Sequence, residues 1–112
     1  MIAVAFVVLA GVGAVARGVI GQRLNGHDGF PVGTLVVNLV GSFALGLLHG
    51  VDAPTYTVVG TGMIGAFTTF SSFARDTAAL TVLGRPRLAA LYVVASVGGA
   101  LMAAAGGLAL AA

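Results

Sequence analysis

Thr34, Asn38, Ser42 and His49 lie at i, i+4, i+8 and i+15 of an otherwise apolar stretch. In a helix that spacing places them within one side. Polar groups in hydrocarbon are costly, and they face either a protein interior or a water-filled path. Interhelical hydrogen bonding accounts for Thr34 and Ser42 as well as a polar path does. Asn38 is harder to absorb in that way, because its amide has two donor hydrogens and an acceptor oxygen to satisfy. His49, near the end of the stretch, reads as interfacial.

The densest polar run is Gly65-Ala66-Phe67-Thr68-Thr69-Phe70-Ser71-Ser72-Phe73, with Gly60 and Gly62 just upstream. Glycine lowers helix propensity, and Ser and Thr side chains compete for backbone groups, so a continuous helix is unfavourable here. A break in mid-span frees carbonyls, which is tolerated only where protein buries them or they bind something. Carbonyls are hard oxygen donors suited to a cation such as Na⁺, and transporters use unwound segments in this manner. Phe70 and Phe73, at i and i+3, share a helix face. An aromatic ring is negative on its face and positive at its edge, so the pair is either ordinary packing or a weak anion contact. Tyr92 and Ser96, at i and i+4, are either a buried hydrogen-bonding pair or part of a polar path. Arg17 lies about six residues from the end of its span and can snorkel to the interface.

The elements that position these residues follow from composition. The 112 residues are 59% hydrophobic and 7% charged, with a mean hydropathy of +1.12, whereas an ordinary soluble protein is roughly 25% charged. Neither a water-soluble globule nor a disordered chain fits that balance. A membrane helix takes about 20 apolar residues, so the expectation is a single four-helix transmembrane domain over residues 1–112. The spans run over about 2–23, 32–51, 56–83 and 88–110, with the third interrupted near its middle. The first reads as a span rather than a signal peptide, lacking a basic leading region and a clear cleavage site. Loops at 25–31, 52–55 and 84–87 carry the turn residues. Gly46 and Gly50 form a small-x-x-x-small pattern suited to close helix approach.

The same composition excludes several functions. There is no Cys, no Glu and no Lys, and the five Arg (Arg17, Arg23, Arg75, Arg85, Arg87) form no basic face for nucleic acid. Gly60-Thr61-Gly62-Met63-Ile64-Gly65 is a literal G-x-G-x-x-G, but no strand precedes it and the nearest acid, Asp76, follows too soon for a dinucleotide fold. No acid–base pair, metal cluster or activated nucleophile marks an enzyme. A small proton-coupled multidrug exporter also has four spans, yet depends on a carboxylate within the first, where this chain has none. A non-transporting membrane assembly subunit would not need the aromatic–hydroxyl break.

Three segments carry a resemblance. Gly11-Val12-Gly13-Ala14-Val15-Ala16-Arg17, the run Gly33-Thr34-Leu35-Val36-Val37-Asn38-Leu39-Val40-Gly41-Ser42-Phe43 and Thr68-Thr69-Phe70-Ser71-Ser72-Phe73 resemble the small bacterial fluoride channels, the Fluc family, also called CrcB. Ser72 stands where the family more often has Thr. Ala74, Arg75 and Asp76 stand where it often has Ser and Glu, so one rung of a polar track is missing at Ala74. The resemblance implies a passive fluoride channel of the inner (plasma) membrane that exports cytoplasmic fluoride and lowers its toxicity. It implies an antiparallel dimer of four-helix subunits with two pores along the interface; the placement of the Arg residues leaves open whether the dimer forms with itself or with a second homologous chain. Asn38, Ser71, Ser72 and Thr34 would be donors on the fluoride pathway, Phe70 and Phe73 ring-edge contacts, and Tyr92 and Ser96 further members. Gly65 and Thr68 would give backbone carbonyls to a central, non-transported Na⁺.

The implied chemistry is physically coherent. Fluoride is small and strongly hydrated, so a pore has to replace its water with short-range donors while binding weakly enough to permit exit. All five Arg fall toward the side of the 25–31 and 84–87 loops, and short Arg-bearing loops stay cytoplasmic, so both termini are expected to face outward.

Overall fold

A computed structural model describes residues 1–25 and 29–112, and every regular element among them is helical. Part of the 25–31 loop, Gly26 to Asp28, therefore lies outside the described residues. Helix α1 is Ile2–Leu24, α2 is Val32–Leu47, and α5 is Pro86–Ala111. The stretch expected to form the third span is built from two helical pieces. The first, α3, runs unbroken through Ala53–Thr55, a π-helical Tyr56–Ile64 and an α-helical Gly65–Phe67. The second, α4, is Phe70–Val82. The break falls at Thr68 and Thr69, both extended, with φ/ψ of −77°/158° and −150°/119°. The glycine-rich stretch ahead of it is wound as a π-helix, a form found mostly as single turns at functional sites.

Local chemistry sets the boundaries. Asn25 ends α1 and also begins α2: its Oδ1 accepts from the Gly33 and Thr34 N–H groups at 2.6 and 3.2 Å, and its Nδ2 donates to Thr34 Oγ1 at 3.2 Å. Such a bridge satisfies orphan donors of the helix start that no residue inside α2 reaches. Asp52 caps α3, accepting from the Thr55 N–H at 3.0 Å and the Thr55 hydroxyl at 2.8 Å, the usual N-cap chemistry. Helix α4 closes on Gly84 at φ +78°, with Gly84 N–H bonded to Thr81 O and Arg85 N–H to Leu80 O, the Schellman pattern that favours glycine. Pro86 then starts α5 where its missing N–H costs nothing.

Helix α2 stops at Leu47, and Gly50, beyond it, adopts φ +89°. The Gly46/Gly50 spacing is therefore not a packing face: Gly50 serves the turn, and the true partner of Gly46 is Gly107 of α5. A Cβ on Gly46 would run into Ala104 O, and one on Gly107 into Phe43 O. At the other crossing, Gly13 of α1 lies against the Met63 carbonyl of α3. Glycine thus lets α2 meet α5, and α1 meet α3, backbone to backbone.

The bundle measures 48 × 29 × 18 Å. Its buried hydrophobic core is small: Val37, Ile64, Leu80, Ala89 and Tyr92. Most large apolar side chains point outward, among them Val4, Val7, Val15, Val94, Leu101 and Met102. Helices α1 and α5 are long and apolar enough to cross a membrane. The two threonine hydroxyls of α4 are turned onto the helix itself, Thr77 donating to Phe73 O and Thr81 to Thr77 O.

Candidate functional site

The break between α3 and α4 organises the site. Asn38, on α2, pairs its amide with the backbone of Thr69: Nδ2 donates to Thr69 O at 3.1 Å, and Oδ1 accepts from Thr69 N–H at 2.9 Å. Thr69 is itself buried and caps α4, its Oγ1 accepting from Ser72 N–H at 3.1 Å and lying 3.3 Å from Ser71 Oγ. Thr68 donates its hydroxyl to Ile64 O at 3.1 Å. Its methyl group occupies the space a Cβ on Gly41 would need, so Gly41 lets the broken segment lie directly on α2.

These bonds redirect two donors. In an unbroken helix Thr69 N–H would close on Gly65 O, and Ser72 N–H on Thr68 O. Here the first goes to Asn38 and the second to the Thr69 hydroxyl. Gly65 O and Thr68 O are thereby released from the helical ladder.

Beside the break runs a hollow of about 650 Å³, lined by Asn38, Gly65, Thr68, Thr69, Phe70, Phe73 and Ser96 with apolar neighbours. Phe70 stands out from the bundle, 78% exposed. Its ring centroid lies 5.9 Å from that of Phe73, which lies 5.4 Å from Tyr92, which meets Phe30 edge-on at 5.4 Å. Ser96 Oγ is buried and, among the described residues, has no hydrogen-bond partner. A second hollow, of about 480 Å³, lies on the other side of Thr69 and is lined by Arg17, Gln22, Asn25, Thr34, Ser72 and Arg75.

The residues singled out from the sequence therefore fall into groups. Asn38, Phe70, Phe73, Ser96, Gly65 and Thr68 meet in the larger hollow. Thr34 and Ser72 line the smaller. Ser71 is exposed beside Thr69. Tyr92 lines neither: it is fully buried, and its hydroxyl bonds Asp76 Oδ2 at 3.3 Å rather than Ser96 four residues on. Three contributors were not singled out: Asn25, which fixes the start of α2; Thr69, which is both cap and wall between the hollows; and Asp76, which takes the Tyr92 hydroxyl. A capping signal at Thr69, a hydroxyl just ahead of a helix, was readable. The Tyr92–Asp76 contact joins residues sixteen apart on different helices and has no local signature.

Residues 4–108 match the family model described as CrcB-like protein, Camphor Resistance (CrcB). The chain belongs to the CrcB family. A protein named fluoride-specific ion channel FluC from Sphingopyxis alaskensis is 48% identical over 108 residues, covering 88% of this chain and 86% of the relative. One of the same name from Agrobacterium fabrum is 41% identical over 123 aligned positions, covering 98% and 96%. Fluoride-specific ion channel FluC 2 of Rhodococcus jostii is 39% identical, covering 82% of each. Membership of CrcB makes the chain a membrane protein of an ion-channel family and not an enzyme, and it agrees with the resemblance carried by the three sequence segments.

Proposed function

We propose that this CrcB chain is a passive, fluoride-selective channel of the plasma membrane that lets cytoplasmic fluoride leave the cell and so lowers its toxicity. Hydrogen fluoride crosses membranes as a neutral acid and ionises at cytoplasmic pH, so an anion exit relieves the accumulation. The observation that carries the reading is the juxtaposition in one hollow of the Asn38 amide, the unpartnered Ser96 hydroxyl and the exposed Phe70 ring beside Phe73. Asn38 spends one amide hydrogen on Thr69 O and keeps the other. These are neutral donors and ring edges, without a cation that would hold the anion too tightly for exit.

The membrane arrangement follows the same reading. Helices α1, α2 and α5, with α3 and α4 together, make four spans, and the 48 Å length suits a bilayer of about 40–45 Å including headgroups. The larger hollow opens on the side of the bundle where Phe70 is exposed, so a second subunit, antiparallel to the first, is needed to wall a path. Gly65 O and Thr68 O, released from the ladder, fit a hard monovalent cation, and a structural Na⁺ shared with the second subunit would neutralise their combined negative dipoles.

The test is efflux from proteoliposomes loaded with potassium fluoride or potassium chloride. In detergent no membrane imposes an orientation, so antiparallel pairs of this chain can assemble before reconstitution. Fluoride release without chloride release is expected; equal release of both overturns the proposal.

A further inference from the structure

The smaller hollow is lined by two guanidinium groups and, among the described residues, by no carboxylate. It arises from the way the helices pack. Helix α1 lies along α2 and α3, and α4 lies along α5, which leaves a gap between α1 and α4. Arg17 borders that gap from α1 and Arg75 from α4. Thr34 and Thr69, both buried, lie at its depth, whereas Gln22 and Arg75, both exposed, lie at its rim. The larger hollow has no charged residue in its lining.

The chain itself does little to answer these two charges. Arg17 is half-buried, and among the described residues it has neither a hydrogen bond nor an ion pair. Arg75 donates to Ser72 Oγ at a long 3.4 Å. Asp76, next to it in sequence, takes the Tyr92 hydroxyl at 3.3 Å and lies outside the lining of the hollow. A half-buried cation without a counter-charge is costly, and two cations at one site repel, so the hollow suits an anion. The donors say which kind. A guanidinium is a planar fork whose paired N–H groups match two oxygens of a phosphate or sulfate. Ser72 Oγ accepts from Arg75 and keeps its own hydrogen to donate, and the Gln22 amide adds two further N–H donors. A tetrahedral oxyanion presents acceptor oxygens in several directions at once and can serve groups on both helices; a single spherical halide cannot fill two forks.

We propose that the smaller hollow is a binding site for a phosphate-class oxyanion, held between Arg17 of α1 and Arg75 of α4, with Ser72 and Gln22 as neutral donors. Bound there, the anion ties together two helices that do not pack along each other and screens the repulsion between their guanidinium groups, so it stabilises the fold. The site goes beyond the channel reading and does not depend on it. The same chemistry has two sources: a free phosphate or sulfate ion, and the phosphodiester headgroup of an anionic lipid. A headgroup can reach the rim, because Arg17 lies seven positions before Leu24, about 10 Å of helix rise, and Gln22 lies nearer still to the helix end.

The experiment is thermal melting of the purified full chain in a maltoside detergent, with Na⁺ and ionic strength held fixed. Inorganic phosphate or sulfate in place of chloride should raise the melting temperature saturably, by about 5 °C or more at about 100-fold the half-saturating concentration. Arg75→Gln and Arg17→Gln should each remove the saturable rise. Arg87→Gln, outside the hollow, should keep it. Phosphate and sulfate also stabilise proteins by exclusion from their surfaces, but that effect does not saturate and is indifferent to Arg75. Because Arg75 is exposed, Arg75→Gln carries the test even where Arg17→Gln does not fold. A second arm adds phosphatidylglycerol to delipidated protein, with phosphatidylcholine as the control. An Arg75-dependent rise with phosphate or sulfate supports the site with a free ion as occupant, and one with phosphatidylglycerol alone supports it with a lipid headgroup. Absence of a saturable rise with all three, or a rise of equal size in Arg75→Gln, overturns the proposal.

Discussion

Asn38 and Thr69 are joined twice, side-chain amide to main-chain amide, at 3.1 and 2.9 Å. The pair anchors the break between α3 and α4 to α2 and holds the donor-bearing end of Asn38 in the hollow. Asn38→Ala leaves the Thr69 N–H and C=O unpaired in a dry setting, at about 1–3 kcal/mol for each group. We expect a lowered melting temperature in detergent together with loss of fluoride flux. Asn38→Asp keeps the acceptor for Thr69 N–H but replaces the donor by an anion, and should abolish flux more completely than it lowers stability. A thermal-shift series read beside efflux separates the two effects.

Phe70 is too exposed for its ring to be explained by the core of one subunit, whereas the Phe73 ring lies between those of Phe70 and Tyr92, tilted against both. Phe70→Ile and Phe73→Ile keep apolar bulk and remove the positive ring edge. Both should lose most fluoride flux while the protein remains folded and dimeric. Normal flux in both variants would assign the rings to packing.

Much of this arrangement was legible from residue type and spacing. The Gly65–Phe73 run announces a break because its Gly, Ser and Thr all disfavour an uninterrupted helix, and the break falls within it, at Thr68 and Thr69. Asn38 was legible because an amide in an apolar stretch demands partners. The identity of those partners was not, since the contact spans thirty-one residues and depends on Gly41 admitting Thr68. The spacing of Gly46 and Gly50 misled for a related reason: a small-residue pattern marks a possible approach, but whether α2 continues to Gly50 is settled by the turn there. Tyr92 and Ser96 share a helix face and yet part company, one buried against Asp76 and the other lining the hollow.

The carbonyls of Gly65 and Thr68 give the cation proposal a test independent of flux. Replacing Na⁺ exhaustively by Li⁺ or by a larger cation should lower the thermal stability of the purified assembly, as well as its activity, because binding to the folded state adds to stability. Thr68→Ser retains both the carbonyl and the hydroxyl bond to Ile64 O and should be mild. Indifference to Na⁺ in the melting experiment would count against the site.

The crossing of α2 and α5 should tolerate no side chain. Gly46→Ala and Gly107→Ala each place a methyl group against main-chain atoms of the facing helix, Leu108 N at 2.9 Å in one case and Leu47 N at 2.9 Å in the other. Over-packing of this kind typically costs about 1–3 kcal/mol. Gly11→Ala, where a Cβ meets nothing within 4 Å, is the control and should melt as the wild type does.

The pH response of the α3 cap has a definite sign. The Thr55 N–H, and then its hydroxyl, hold the Asp52 carboxyl below the usual carboxylate value. Its contribution to folding is present above the ordinary carboxylate pKa and is lost as pH falls through the lowered one. Asp52→Asn should therefore leave stability and flux unchanged in their pH dependence between pH 5 and 8, and any pH dependence of transport there arises elsewhere. Melting curves of the wild type and the variant across that range provide the check.

The most direct measurement is anion efflux from proteoliposomes containing the purified chain, recorded with fluoride- and chloride-selective electrodes after a potassium ionophore is added. The account predicts rapid fluoride release that Phe70→Ile and Asn38→Ala suppress, with chloride retained. Chloride release as fast as fluoride release, or no release of either from folded protein, would contradict it.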